Sequence, residues 1–469
     1  MNGDTNTQPA AQTDLSAQPA HIQMFARAAD DHKKGRMDAA VAGYAETLRL
    51  KPDFADALNN MGVALRAQGK FEAAVACYKR SLALRPNNPG AWSNMGNALR
   101  EVGRLEEACV AHRKAVELKG DAPEGIYNLG LVLRDLGKIR EAMDCFNRAI
   151  AMRDNYFDCL WDRALTWLLI GDYKRGFDHY EWRWKLDRSP PRKFDMPVWD
   201  GKDLGGKSIL LHAEQGYGDM IEWARFIPLV KQRGAGRVIV ECQTGLLRLL
   251  ATVEGVDEML IKAQKPPKCD VYYPLLSLPK MFGVTMETLP NTVPYLGPPE
   301  IHGKKLPAVN GAKLKVGIVW AGKTTPKDRS CGLEHFIEIM DMPGVAFYSF
   351  QKGGRKDDIV RLGAETLITD LDPLIEDFAD SAAFMSQLDL VITIDSAPAH
   401  LAGAVGAKTW CLLIHNADWR WLLDRDDCPW YPTMRLFRQP RPGDWASVWK
   451  QVTPAFREWV ATEMTSRQP

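Results

Sequence analysis

The sequence predicts a helical repeat solenoid followed by a two-part α/β region, and three observations carry that expectation. Glycine recurs at 35, 69, 103, 137 and 171, in steps of 34 residues. From residue 207 the pattern changes to apolar, strand-like runs alternating with helical ones: "KSILLHA", "DMIEWARFIPLVKQRG", "RVIVEC". A stretch rich in Pro and Gly, 290–307, then interrupts the alternation, which restarts with "KVGIVWAG". The 469 residues are accordingly divided into a disordered lead (1–20), a repeat domain (21–188) and two α/β halves (189–300 and 301–469).

The lead, "MNGDTNTQPAAQTDLSAQPA", has neither a basic start nor an apolar stretch, so neither a signal peptide nor an anchor is expected in it. No apolar run approaches the length that spans a bilayer, so an integral membrane segment is not expected and the location is read as cytoplasmic. Lysine plus arginine (60) balance aspartate plus glutamate (59), which gives no reason to expect a nucleic-acid partner. Nine cysteines are scattered without a C-x-x-C pair and read as buried thiols of a reducing compartment.

In the repeats, a small residue follows each periodic glycine by five positions: Ala40, Ala74, Ala108, Ala142 and Gly176. Four further on stands a ring: Tyr44, Tyr78, His112, Phe146 and Tyr180. A small residue lets two helices approach, and a ring fills the wedge beside it. This spacing and pattern resemble the tetratricopeptide repeat (TPR), a pair of antiparallel helices stacked into a superhelix, over about residues 22–185. Asn60, Asn94 and Asn128 hold one place in three successive repeats, and Asp162 takes it in the fourth. An amide offers donor and acceptor together, which suits a peptide backbone whatever its side chains. The repeats of O-GlcNAc transferase carry a similar asparagine ladder on their concave face, and the resemblance implies an acceptor protein bound in the TPR groove. The alternative is that these asparagines bond neighbouring helices.

Pro190, Pro191 and Pro197 end the helical periodicity. Beyond them "KSILLHA", "RVIVEC", "KVGIVWAG", "VAFYSFQ", "LITDL" and "LDLVITI" read as buried strands, and the alternation with helices predicts parallel sheets. Two such halves with a hinge place a cleft where their strand carboxyl ends face each other. The loops expected there, "HAEQGYGDMIEWARF", "VGIVWAG" with "DRS", "FYSFQKG", "IDSAPAHLAGAVGA" and "NADWRWLLDRDDCPWYP", together resemble the glycosyltransferase domain fused to TPRs in bacterial proteins. That domain is related to the heptosyltransferases (glycosyltransferase family 9/41-like). The resemblance implies a GT-B fold of two Rossmann-like domains over about residues 195–455.

Sugar transfer from a nucleotide needs a base near the acceptor hydroxyl and positive charge around the leaving phosphate. Asp219 follows the Gly-x-Gly turn Gly216–Gly218 in a cleft loop that also holds Gln215. The heptosyltransferase resemblance puts the catalytic base at Asp219; the alternative is a helix cap. In the second half an apolar strand runs through Asp395 and Ser396 into a helix opened by Pro398, whose free amides and dipole favour an anion. Asp395 is a candidate donor contact, and the resemblance implies that Ser396, Ala397 and His400 hold the donor, although His400 is open to a purely structural role. Lys323 falls where relatives place a phosphate-binding lysine, with Arg329 nearby; solvated loop charges are the bland alternative. Gln351 and Lys352, ending another strand, are candidate nucleotide contacts.

No metal site is expected, since the histidines are dispersed and "DRD" at 424–426 does not follow a strand. The resemblance therefore implies a metal-independent, inverting transferase with a nucleotide-sugar as co-substrate and no cofactor. It would act on Ser or Thr of a protein acceptor; flagellin is one acceptor known for bacterial proteins of this layout. Two other readings stay open: a scaffold whose transferase domain is inactive, and a transferase acting on a lipid-linked or cell-surface saccharide.

Overall fold

Each periodic glycine ends the first helix of a pair in the left-handed region, where a side chain is disfavoured, and the chain turns there into the second helix. Gly69 and Gly137, for instance, have φ of 74° and 72°. The pairs so formed are Ala20–Lys33 with Met37–Leu50, Ala55–Ala67 with Phe71–Leu84, Pro89–Glu101 with Leu105–Leu118, and Pro123–Asp135 with Ile139–Met152. In the second, third and fourth pairs the ring of the second helix packs where the first has glycine: a Cβ on Gly62 would lie 2.6 Å from Tyr78, on Gly96 2.5 Å from His112, and on Gly130 2.7 Å from Phe146. These rings are fully buried, as are Ala74, Ala108 and Ala142. Burial of the Phe146 ring contributes on the order of 2–3 kcal/mol.

The structure, a computed structural model, describes residues 18–120, 122–297, 304–325 and 327–467. Residues 1–17 of the expected lead, and 298–303 of the expected linker with the 300/301 boundary, lie outside the described residues. By contacts the chain forms two compact units, Met1–Asp162 and Arg163–Pro469.

The expected repeat domain ran to residue 188, but from Arg163 onward the last helical pair clusters with the second unit. The physical reason is its aromatic face. Tyr173 and Phe177 pack on Trp430 (ring centroids 5.4 and 6.4 Å), and Phe177 also meets Trp223 at 5.9 Å. Arg183, just after the pair, is buried and donates to both oxygens of Glu214 (2.8 and 3.0 Å) and to Ser277 (2.7 Å).

The second unit holds two all-parallel sheets. The first contains β1 (Ser208–His212), β2 (Arg237–Cys242), β3 (Glu258–Ile261) and β4 (Val271–Pro274) in the order β3-β2-β1-β4. The second contains β5 (Leu314–Val319), β6 (Val345–Ser349), β7 (Ile368–Asp370), β8 (Leu390–Ile394), β9 (Thr409–Leu413) and β10 (Met434–Arg438), in the order β10-β9-β8-β5-β6-β7. In each sheet the chain winds outward one way from its first strand and then returns to the other side, so a crevice opens between β1 and β4, and between β5 and β8. β1, β2, β5, β6, β7 and β8 are those that the sequence pattern predicts. β3, β4, β9 and β10 were not foreseen: β3, β4 and β10 lie at sheet edges, and β3 and β4 are only half-buried, whereas β9 is a fully buried inner strand. The helix Trp445–Ser466, also unforeseen, buries Val448, Trp449, Val452, Phe456 and Val460 against the second sheet's core.

Two expectations need correction. "DMIEWARFIPLVKQRG" does not form one helix: Tyr217–Trp223 passes through a tight turn at Ala224–Phe226 into Ile227–Gln232, whose first turn carries Pro228. The described part of 290–307 is a packed strap rather than a loose linker. Its Tyr295 donates from the backbone to Ala404 O (3.1 Å) and from the hydroxyl to Ile221 O (3.0 Å), so it ties one half to the other.

Candidate functional site

One wall of the site is the loop from β1 into the helix Tyr217–Trp223. Gly216 is the N-cap of this helix and has no side chain to offer its free amides. Asp219, in the third helical position, reaches back instead, and its Oδ2 accepts the Gly216 amide at 2.9 Å. The capping alternative is therefore realised, from inside the helix rather than at its N-cap. The other oxygen, Oδ1, accepts from Arg420 Nη2 at 2.7 Å. Burial raises the Asp219 carboxyl above the usual carboxylate range, against the pull of Arg420 and the Gly216 amide. Gly218 permits the next contact: a Cβ there would meet His400 Cδ2 at 2.8 Å and Ala397 Cα at 3.5 Å.

The facing wall is made of loops after β5, β6, β7, β8 and β9. After β8, Asp395 is buried and ion-paired with Arg329 at 3.1 Å. Ser396 is the extended N-cap of the helix Ala397–Ala404, with Pro398 second rather than first in it, and its Oγ bonds back to Ile394 O at 3.2 Å, not to a helix amide. His400 does not bond a backbone carbonyl. Its Nδ1 pairs with the Tyr431 hydroxyl at 3.0 Å, its ring stacks on Trp421, and burial holds it well below the usual histidine range, hence neutral.

After β5, Lys323 is exposed, and among the described residues its ammonium makes no hydrogen bond or ion pair. Nearby Lys327 donates to Asn416 O at 3.0 Å. Gln351 is occupied otherwise than expected. Its carbonyl accepts the Trp320 and Ala321 amides (3.2 and 2.9 Å), and its amide donates to Ala321 O and Lys352 O (both 3.1 Å). With its hydrogen-bonding capacity used inside the protein, it braces the ends of β5 and β6. Lys352 is likewise pinned, to Asp372 Oδ1 and Ile375 O, both at 2.8 Å.

All twelve candidates of this unit, Gln215, Gly216, Gly218, Asp219, Lys323, Arg329, Gln351, Lys352, Asp395, Ser396, Ala397 and His400, line one cavity of 920 Å³. It lies at the carboxyl ends of both sheets, and its volume is in the range of small-molecule sites. At its centre stands a residue that sequence reasoning missed. Arg420 donates to Asp219, to Asp418 Oδ1 (2.9 Å) and to Glu222 Oε2, so one guanidinium serves three carboxylates. Glu222, fully buried one helical turn beyond Asp219, is pushed up to about 7 by burial. Arg420 was hidden in the aromatic "DWRWLL". The available signals were Asp418 two residues before it and an acidic residue inside the apolar "MIEW". Several lining charges are compensated in this way, by ion pairs such as Arg329 with Asp395 and Lys352 with Asp372, whereas Lys323 is exposed.

In the repeats, Asn60, Asn94 and Asn128 are half-buried at equivalent positions of three successive first helices. Asn59 donates to Asn60 at 3.2 Å, and Asn94 donates to Asn59 at 3.3 Å, so part of the ladder bonds between neighbouring helices. Asp162 is spent within the array, accepting from Tyr127 (2.6 Å) and Arg134 (2.8 Å).

Family models agree with the repeat geometry: one for the TPR repeat matches residues 62–101, and one for the tetratricopeptide repeat matches 89–121 and 123–156. The helical unit is built of tetratricopeptide repeats. Among solved structures, MamA (residue 41 to its end) from Desulfovibrio magneticus RS-1 is 19% identical, covering 39% of this chain and 100% of its own, with a TM-score of 0.34. A thermophilic TPR protein of Thermus thermophilus, TTC0263, is also 19% identical, covering 36% of this chain and 93% of its own, with a TM-score of 0.32. Among curated proteins, Protein FlbA of Caulobacter vibrioides (strain ATCC 19089 / CIP 103742 / CB 15) is 26% identical over 329 residues, 64% of this chain. That span exceeds what the TPR unit, ending at Asp162, can supply, so the likeness extends into the α/β unit. The chain spans 55% of the length of this curated relative.

Proposed function

We propose that the chain is a glycosyltransferase of the GT-B type, passing a sugar from a nucleotide-sugar to a Ser or Thr hydroxyl of a protein captured by the TPR unit. The observation that carries this reading is the meeting, in one cavity, of a carboxylate of raised basicity on one sheet's loop with an anion-receptive wall on the other's. Asp219 takes the acceptor proton. The start of the helix Ala397–Ala404 and Lys323 receive the leaving diphosphate, and neutral His400 offers a hydrogen bond without adding charge. The acceptor oxygen bonds to the anomeric carbon as that carbon's bond to the diphosphate oxygen breaks, a single displacement that inverts it, and the charge on the leaving group is met by Lys323 and backbone amides. Flagellin is an acceptor to try first, on the strength of the family resemblance alone.

Asp219→Asn tests the base directly. Transfer should fall about 10²- to 10⁴-fold with donor affinity retained. Full transfer with only a lowered melting temperature would reduce Asp219 to a cap. One observation favours a second reading, a scaffold with an inactive transferase domain: both Asp219 oxygens are already engaged, by Gly216 and Arg420. Donor binding without turnover would establish that reading.

A further inference from the structure

Asp219 and Glu222 stand three residues apart on one short helix, and both accept hydrogen bonds from Arg420. They are not equivalent. Asp219 lines the cavity; Glu222 is fully buried behind it and is not among the lining residues, so it touches no substrate. Its Oε2 meets Arg420, while its Oε1 is buried and finds no donor among the described residues. A carboxylate with one oxygen unmet away from water is the member of such a group best suited to carry a proton.

Resting on the reading of Asp219 as the base, we infer that Glu222 sets the basicity of Asp219 through the Arg420 guanidinium they share. When Glu222 is ionised, the single positive charge is divided among Glu222, Asp219 and Asp418, and Asp219 holds a proton more readily. When Glu222 is protonated, Arg420 acts on Asp219 and Asp418 alone, and Asp219 becomes the weaker base. Glu222 is thus a positioning residue: ionised it raises the basicity of Asp219, and protonated it lowers it. Of the other charged groups facing it, Arg225 follows on the same segment and stays cationic. Tyr295 from the strap, Tyr431 and Cys428 from the loop before β10, and Tyr173 from the last helical pair are all raised by burial, so they stay neutral in this range.

The test compares pH–rate profiles of sugar transfer for the wild type, Glu222→Gln and Glu222→Asp in the full chain. Wild-type kcat should climb through neutral pH. Glu222→Gln, fixed in the uncharged form, should lose that step, with kcat at pH 8 lowered about three- to tenfold and KM for the donor unchanged. Glu222→Asp should restore a titrating step at a shifted midpoint. Carboxyl ¹³C NMR titration of Asp- and Glu-labelled protein reads the same coupling without turnover: the Asp219 midpoint should move to lower pH in Glu222→Gln. An Asp219 midpoint and a kcat profile that ignore Glu222→Gln overturn the inference. Absence of turnover with every donor, alongside a shifted Asp219 midpoint, overturns the transferase reading and leaves the coupling standing.

Discussion

Gly218 is the residue on which the geometry of the cavity depends most narrowly. A methyl group there collides with His400, and relief requires moving either the His400 ring, the helix that carries Asp219 or the helix Ala397–Ala404. Gly218→Ala should cost on the order of 1–3 kcal/mol by chemical denaturation and should lower transfer more than stability. His400 makes a second residue-scale prediction. Its imidazole is held neutral in the fold, with a pKa well below the ordinary value of 6.5. A depressed base contributes stability that is complete above about pH 6.5 and is lost as pH falls below it. His112 and His212, buried and lowered to about 4, act in the same sense. Acidification below pH 6.5 should therefore lower the melting temperature, with a shallower slope in His400→Gln; equal slopes would show that His400 is not held neutral. Glu222 works oppositely, because its raised acid weakens the fold as pH rises from about 4.5 to about 7.

At the scale of elements, the repeat glycines separate two costs that sequence alone cannot. Gly137 has a φ of 72° with open space around it, so Gly137→Ala should cost only the left-handed backbone, about 1–2 kcal/mol. Gly96 lies mid-helix against His112, and Gly96→Ala should cost more, on the order of 2–3 kcal/mol, by overpacking. Urea unfolding of the two variants checks the order. Replacing Asn60, Asn94 and Asn128 together by Ala should weaken acceptor capture and spare nucleotide release in the absence of acceptor. Because Asn94 also bonds Asn59, a modest loss of stability is expected beside it. Here the sequence was informative where periodicity rules: the glycine step, the ring beneath it and the apolar strands β1, β2, β5, β6 and β8 were legible. It was silent at β3 and β4, edge strands of four residues whose alternation is too brief to stand out, and at β9 and β10. It does not show where polar capacity is consumed internally: Gln351 and Lys352 line the cavity, but they hydrogen-bond Trp320, Ala321, Asp372 and Ile375.

The molecule as a whole joins a repeat array to a pair of parallel-sheet domains, and that division was legible from a change of period. The boundary was not: the last helical pair keeps the repeat spacing through Gly171 and Gly176, yet it turns Tyr173 and Phe177 onto tryptophans of the α/β unit, which no local pattern reveals. Nor was Arg420 legible, because what distinguishes it is the convergence of three carboxylates from two segments. The central claim concerns what the cavity does. Free nucleotide released from a panel of UDP-, GDP- and ADP-sugars and CMP-linked nonulosonates, with and without flagellin and other candidate acceptor proteins, tests it most directly. The account predicts that one donor yields nucleotide in step with a mass increase on a Ser or Thr of the acceptor, abolished in Asp219→Asn; donors that bind without nucleotide release or acceptor modification would contradict it.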